Sequence, residues 1–258
     1  MKNLLIIPDR KDLKNTLSLA TEYNLGFEYN DFVTSDVLDS DECIENIVSK
    51  YKEANLPEFT TIHGAFFDVI PFSGDEKIKE ISLLRINQSL QSARKIGAKA
   101  VVFHTNYNPF LNLAVYIDNW IKKNTEIWQK ILSDNKDISI YLENTFEFSP
   151  DILKRLAENL SVNENFGICL DWAHAVISGA APLEWARALG KYVKHVHIND
   201  NDLKSDKHLA WGDGKINRYE FYDCFEKHFN SASVLIETSA YEDKLKSLEQ
   251  LKNDGFIE

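Results

Sequence analysis

Eight short runs of apolar and β-branched residues alternate along the chain with longer amphipathic stretches. The runs lie at residues 4–8, 26–30, 60–65, 100–105, 139–144, 167–172, 193–199 and 234–238. Each is nearly continuous in apolar character, as expected of parallel strands covered on both faces. Between them, residues 40–55, 77–96, 113–132, 150–160 and 219–229 repeat apolar positions at helical spacing. Ser40 before Asp41 and Glu42 predicts an N-cap with an acidic first turn. Ser149, Pro150 and Asp151 predict a second N-cap with proline at the first helical position. Gly97 and Gly190 stand where a glycine would end a helix. Eight β-α units in 258 residues predict an α/β fold, a (β/α)8 TIM barrel spanning residues 1–258 as a single domain. A doubly wound open sheet would alternate similarly, but no GxGxxG follows the first strand.

Composition narrows the class. No window approaches ~18 consecutive apolar residues, so no membrane span is predicted. The opening MKNLLIIPDRKDLK lacks a small-residue cleavage site and reads as a first strand. Cys43, Cys169 and Cys224 are far apart, odd in number and contain no CxxC, which suits a reducing cytoplasm, the expected location. The net charge of −11 disfavours nucleic acid as a partner, although a local basic patch or bound cations would reverse the sign at one face.

Candidate chemistry emerges at the C-terminal ends of the predicted strands, the edge that carries the active site in barrel enzymes. His63 stands near the end of the third run and His104 near the end of the fourth. Glu143 stands near the end of the fifth, Asp171 near the end of the sixth with His174 just after it, His195 and His197 near the end of the seventh, and Glu237 near the end of the eighth. A lone histidine after an apolar strand is more often a satisfied loop or core residue than a ligand. Glu143, Asp171 and Glu237 are harder to dismiss, because a carboxylate after a run of apolar residues is buried and expensive unless it has a cation, a hydrogen-bond network or a proton. Three acids and several histidines aimed at one rim meet that cost jointly by binding divalent metal. His195 and His197 alternate and so share a face. His197, nearer the strand end, is the preferred ligand, and His195 reads as a packed or supporting residue. His228 lies in the helix YEFYDCFEKHF and receives no role, while Phe221, Phe225 and Phe229 there read as core.

These strand ends, with the DWAH motif at residues 171–174, the HVHIND strand and the IET ending at Thr238, resemble the xylose isomerase-like TIM barrels. That superfamily joins sugar (phosphate) isomerases and epimerases with endonuclease IV-type abasic-site nucleases, AP endonuclease family 2. The resemblance runs from the third strand to the last. In the isomerase branch it implies one divalent metal held by Glu143, Asp171, His197 and Glu237. The two glutamates would also act as acid and base, moving a proton through an enediolate, and His174 would contact substrate. In the nuclease branch it implies three zinc ions, with His63, His104, His174, Asp206 and His208 as additional ligands. The last two lie in DKHLAWGDG, a D-x-H-x-x-x-G-x-G pattern.

Nine matching positions favour the nuclease branch. The acidic charge, the short β-α loops, the acidic EYNDFVTSDVLDSDE segment and the lack of an Arg/Lys-rich rim with interleaved aromatics favour a small substrate. The expected activity is therefore divalent-metal-dependent isomerisation or epimerisation of a small carbohydrate, with a trinuclear zinc phosphodiesterase as the alternative. A non-catalytic metal-binding barrel ranks third, because paired acids around a cation exceed what storage requires. Zinc, manganese or cobalt, one to three ions, suit the mixed histidine and carboxylate donors. Trp172 and Trp211 are candidate pocket walls or, equally, packing residues. Lys204, Lys207 and Lys215 lie near enough in sequence to meet a phosphate, Lys207 being the preferred substrate contact, but surface lysines are the commoner explanation. A homo-oligomer is compatible with the pattern.

Overall fold

The eight apolar runs become eight parallel strands that close in chain order, β1 pairing with both β2 and β8. The computed structural model describes residues 3–54, 56–66 and 69–258. In order, the elements are β1 (Leu4–Ile6), α1 (Leu13–Tyr23), β2 (Gly26–Tyr29), α2 (Ser35–Leu38), α3 (Asp41–Lys52), β3 (Thr60–His63), α4 (Glu76–Ile96) and β4 (Ala100–His104). They continue with α5 (Ala114–Asp134), β5 (Ser139–Glu143), α6 (Asp151–Leu160), β6 (Phe166–Asp171), α7 (Trp172–Ile177) and α8 (Pro182–Leu189). The chain finishes with β7 (Val193–Ile198), α9 (Arg218–His228), β8 (Ser233–Ile236) and α10 (Tyr241–Asn253).

The chain therefore folds as a (β/α)8 TIM barrel. Every predicted strand is present, but each ladder stops one or two residues before the apolar run does. Ala65, Thr105, Asn144, Asn199 and Thr238 remain buried beyond the last ladder pairing, under the β-α loops. Burial outlasts hydrogen bonding at this rim, so hydropathy overshoots the strand ends. The five predicted helices also form, with ends shifted by a few residues; residue 55, the predicted end of α3, lies outside the described residues.

Two terminal signals resolve differently from expectation. Ser40 caps α3 by accepting from the Cys43 N–H, as its position predicts. Ser149 does not cap α6. Its hydroxyl donates to the Asp151 carboxylate at 3.1 Å, and Pro150, expected at the first helical position, takes the N-cap position instead, with no side-chain hydrogen bond. Gly97 ends α4 in the left-handed region at φ 85°. Gly190 is right-handed and opens a short 3-10 turn instead. Space explains it: a Cβ there would lie 2.8 Å from both Cβ and O of His228. His228 thus packs at the bottom of α9.

Most of the apolar core lies between strands and helices, with Trp120, Trp128, Trp185, Phe221 and Phe225 buried there. The inside of the barrel is different. Bulky aliphatic layers usually fill it, yet Glu28, Thr61, His195 and Ser233 are all buried within it. Cys43, Cys169 and Cys224 are free thiols, the last two buried. Among the described residues no helix is long and apolar enough to cross a membrane.

Candidate metal centre

Strand register brings the predicted residues to one mouth. His104 pairs in register with Glu143, and Asp171 with His197, so neighbouring strands deliver their donors at matching heights. Glu143, Asp171 and His197 offer donor atoms all within 4.8 Å of one another, and so do His63, His104 and Glu143. Glu143 belongs to both groups. Glu237, from β8's end, places Oε2 3.6 Å from His197 Nδ1 and 3.8 Å from His208 Nδ1.

The loop after β7 supplies a third group. Asp206 Oδ2 lies 3.3 Å from His174 Nε2 and 2.8 Å from His208 Nε2. Asp200 anchors this loop: its carboxylate accepts from the N–H groups of Asn201, Gly212 and Ile216. Gly212 is left-handed at φ 101°, and a Cβ on Gly214 would fall 2.2 Å from Asp200 Oδ1. The two glycines of the motif thus let the chain wrap a buried carboxylate. His208 itself holds φ 48°, uncommon for a non-glycine residue and maintained by this framework. Gly214→Ala is expected to cost about 1–3 kcal/mol of stability by overpacking. Because it displaces Asp206 and His208, it should also weaken metal uptake; thermal melts with and without Zn²⁺ measure both effects.

Three of the histidines are oriented in the same way. His63, His174 and His208 hold Nδ1 against the backbone carbonyls of Gly64, Asn144 and Glu237 at 3.0, 2.9 and 3.0 Å. Such bonds fix the tautomer with Nδ1 carrying hydrogen, so the Nε2 lone pair faces a carboxylate: Glu143 for His63, Asp206 for the other two. Lone pair against carboxylate is repulsive unless a proton or cation intervenes. Asp171 repeats the theme. One oxygen caps α7 by accepting from the His174 N–H at 2.6 Å. The other, like His197 Nδ1, is buried without a hydrogen-bond partner among the described residues. A divalent cation fits this donor set.

The protonation pattern agrees. Burial lowers the His174 and His197 rings, but surrounding carboxylates, Asp171 and Asp206 for the first and Glu143 and Glu28 for the second, hold both well above the usual histidine range. Burial likewise opposes the charge on His208, yet Asp206 and Glu237 push it up to about 9. Burial pushes the Asp171 carboxyl up, with Glu237 and Glu143 adding their charges and His174 opposing. Burial pulls His104 down to about 3. Without metal, the mouth is a cluster of acids held together by protons on histidine.

Trp172 and Trp211 do not wall the mouth. Both are buried against Phe221 of α9, with ring centroids 5.3 and 5.4 Å away, so the packing alternative holds. The chain turns inward at Asp171 and outward at the next residue. Lys207 pairs with Asp202 at 2.8 Å within its own loop. Aromatic walls come instead from the loops after β4 and β5. Tyr107, Phe110, Phe146 and Phe148 line a cleft of about 440 Å³ that also touches His174 and Glu147.

Sequence reasoning passed over two buried acids. Glu147 accepts from the Thr105 hydroxyl and the Thr145 N–H. Glu28, in the middle of β2, is fully buried beneath His195 and His197. Its signal was present, a carboxylate inside the apolar run GFEYN. His195 links Glu28 to Ser233.

The fold and its convergent donors define a barrel whose C-terminal rim carries groups of side chains that could hold a metal ion. The chain belongs to the xylose isomerase-like TIM barrel family, whose model matches residues 20–253. The uncharacterized protein MJ1311 of Methanocaldococcus jannaschii is 28% identical over 201 residues, covering 74% of this chain and 68% of that protein. A probable endonuclease 4 of Mycobacterium leprae is 28% identical over 158 residues, 56% of this chain and 60% of that one. Among solved structures, a D-tagatose 3-epimerase-like protein superposes with a TM-score of 0.77 at 24% identity, covering 98% of this chain and 96% of its own.

Proposed function

We propose that the protein is a divalent-metal-dependent isomerase or epimerase acting on a small polyhydroxylated substrate. The observation carrying this reading is the pair of carboxylates flanking one imidazole nitrogen. Glu143 Oε1 and Glu237 Oε2 lie 3.5 and 3.6 Å from His197 Nδ1, and they arrive from β5 and β8. Glu143, Asp171, His197 and Glu237 would hold the cation, which when bound polarises a carbonyl or hydroxyl oxygen of the substrate. One glutamate removes the proton from the carbon beside the carbonyl, leaving an enediolate. The other, on the far side, returns a proton. The aromatic cleft beside His174 has the size of a small-molecule site.

A second reading rests on a different observation. Asp206 Oδ2 joins His174 and His208, and His63 and His104 gather on Glu143, which gives donors for additional ions. Such a multinuclear centre suits phosphodiester hydrolysis, and endonuclease 4 relatives support it. A metal count together with two assays separates the readings. Protein loaded with Zn²⁺, Mn²⁺ or Co²⁺ is incubated with ketoses and aldoses in D₂O, and carbon-bound deuterium is followed by NMR. The same preparations are given an abasic-site oligonucleotide. Deuterium incorporation without strand cleavage is expected. Strand cleavage by a three-ion form, without exchange into any sugar, overturns the isomerase reading.

A further inference from the structure

A buried carboxylate below the mouth has no place in the chemistry just described. Glu28 reaches across the barrel interior from β2 to β7, two strands that are not neighbours in the sheet. Its Oε2 accepts from the Thr61 hydroxyl at 2.6 Å and lies 3.1 Å from His195 Nε2. Its Oε1 lies 3.1 Å from His197 Nε2, an ion-pair approach whose angle falls short of a formed hydrogen bond. His195 Nδ1 in turn meets the Ser233 hydroxyl at 2.7 Å. Four strands, β2, β3, β7 and β8, are therefore tied to one carboxylate.

We infer that Glu28 is a positioning residue for metal capture, setting which nitrogen of His197 is free to bind the cation. The inference rests on the metal reading above. Of the carboxylates facing the ring, Glu28 is the nearest, at 3.1 Å from Nε2 against 3.5 and 3.6 Å from Nδ1 for Glu143 and Glu237, so the hydrogen of the neutral ring lies at Nε2. With hydrogen at Nε2, the lone pair of His197 is at Nδ1, the atom that faces Glu143 and Glu237. His197 is thus the exception at this mouth. His63, His174 and His208 are oriented by backbone carbonyls at Nδ1 and present Nε2. His197 projects from within β7 and presents the opposite nitrogen, so its orienting partner must come from below, and Glu28 occupies that position. His195, fixed between Glu28 and Ser233, keeps the carboxylate from rotating away. Outer partners of this kind raise ligand basicity and hold ring orientation.

Glu28→Gln keeps the volume but leaves one accepting oxygen where two ring N–H groups need partners. Titration of chelator-stripped protein with Zn²⁺ against a chromophoric competitor should give an affinity about 10–100-fold weaker than the parent. In a His197→Ala background the same substitution should change affinity less than about 2-fold, because its route runs through that ring. A merely structural role would weaken both backgrounds alike. Thr61→Val, which removes one donor to Glu28, should give a smaller loss. Ring ¹⁵N shifts of the zinc-loaded parent provide a measurement free of variants, with His197 Nε2 expected to carry hydrogen. A folded Glu28→Gln protein with parental affinity overturns the inference, as does an equal loss without His197. If Glu28→Gln does not fold, hydrogen on His197 Nδ1 in the parent overturns it. A parent chain that takes up no divalent ion overturns the metal reading itself.

Discussion

Replacing Glu237 with glutamine is expected to lower turnover at least ~10³-fold at saturating metal, while the metal-free protein melts no lower than the parent. The first half follows from the proposed role, since an amide neither accepts nor returns the substrate proton. The second follows from electrostatics. Glu143, Asp171 and Glu237 crowd one mouth, and the charges of Glu237 and Glu143 add to burial in pushing the Asp171 carboxyl up. Removing one charge relieves that repulsion when no cation is present. Against that relief stand a long bond from Asn199 Nδ2 at 3.4 Å and loose approaches to His197 and His208 at 3.6 and 3.8 Å, which offset the relief without exceeding it. Deuterium incorporation measured beside calorimetry of the stripped protein tests both halves. A variant with the parental exchange rate removes Glu237 from the proton-transfer pair. One that melts far lower shows that its carboxylate was structural.

Metal uptake should release protons, and affinity should therefore rise with pH. His174 and His197 sit well above the usual histidine range, and His208 is pushed up to about 9. In the stripped protein these rings carry protons that a cation must displace. Affinity for Zn²⁺ is expected to climb about tenfold or more per pH unit between 6.5 and about 9, then flatten. Calorimetric titration in buffers of different ionisation enthalpy reads the protons directly, and uptake without proton release rejects the account. The stripped protein should show the opposite trend in stability. The folded-state value of His208 is raised from 6.5 to about 9, so its pairing with Asp206 and Glu237 contributes fully below 6.5 and is lost as pH rises through 9. A cation present at about 1,000 times its dissociation constant adds about 4 kcal/mol, or on the order of 10 °C in melting temperature. The gap between loaded and stripped forms should thus widen from pH 6.5 to 9.

The barrel was legible because it rests on local pattern. Runs such as those with His104 and Glu143 near their ends carry their own evidence of double burial, and those polar residues stood out because buried charge is costly. The Asp206 and His208 pair was legible only through the family resemblance, by the D-x-H-x-x-x-G-x-G pattern it matches. Local pattern failed where orientation depends on the next residue's turn. Trp172 follows Asp171 directly, yet the strand ends there, and the ring points outward onto α9 while the carboxylate points in. The aromatic cleft escaped notice because Phe110, Phe146 and Phe148 have no periodicity and meet only when the β4 and β5 loops lie side by side.

By itself the sequence determined eight parallel strands and an acid- and histidine-bearing rim, since alternation and buried charge are properties of short segments. Only the tertiary structure decided which ring nitrogen each histidine presents. It also decided that Glu28 supports His197 from β2. Those facts depend on barrel closure, which sets residues from strands far apart in the chain face to face across an interior that no local pattern describes.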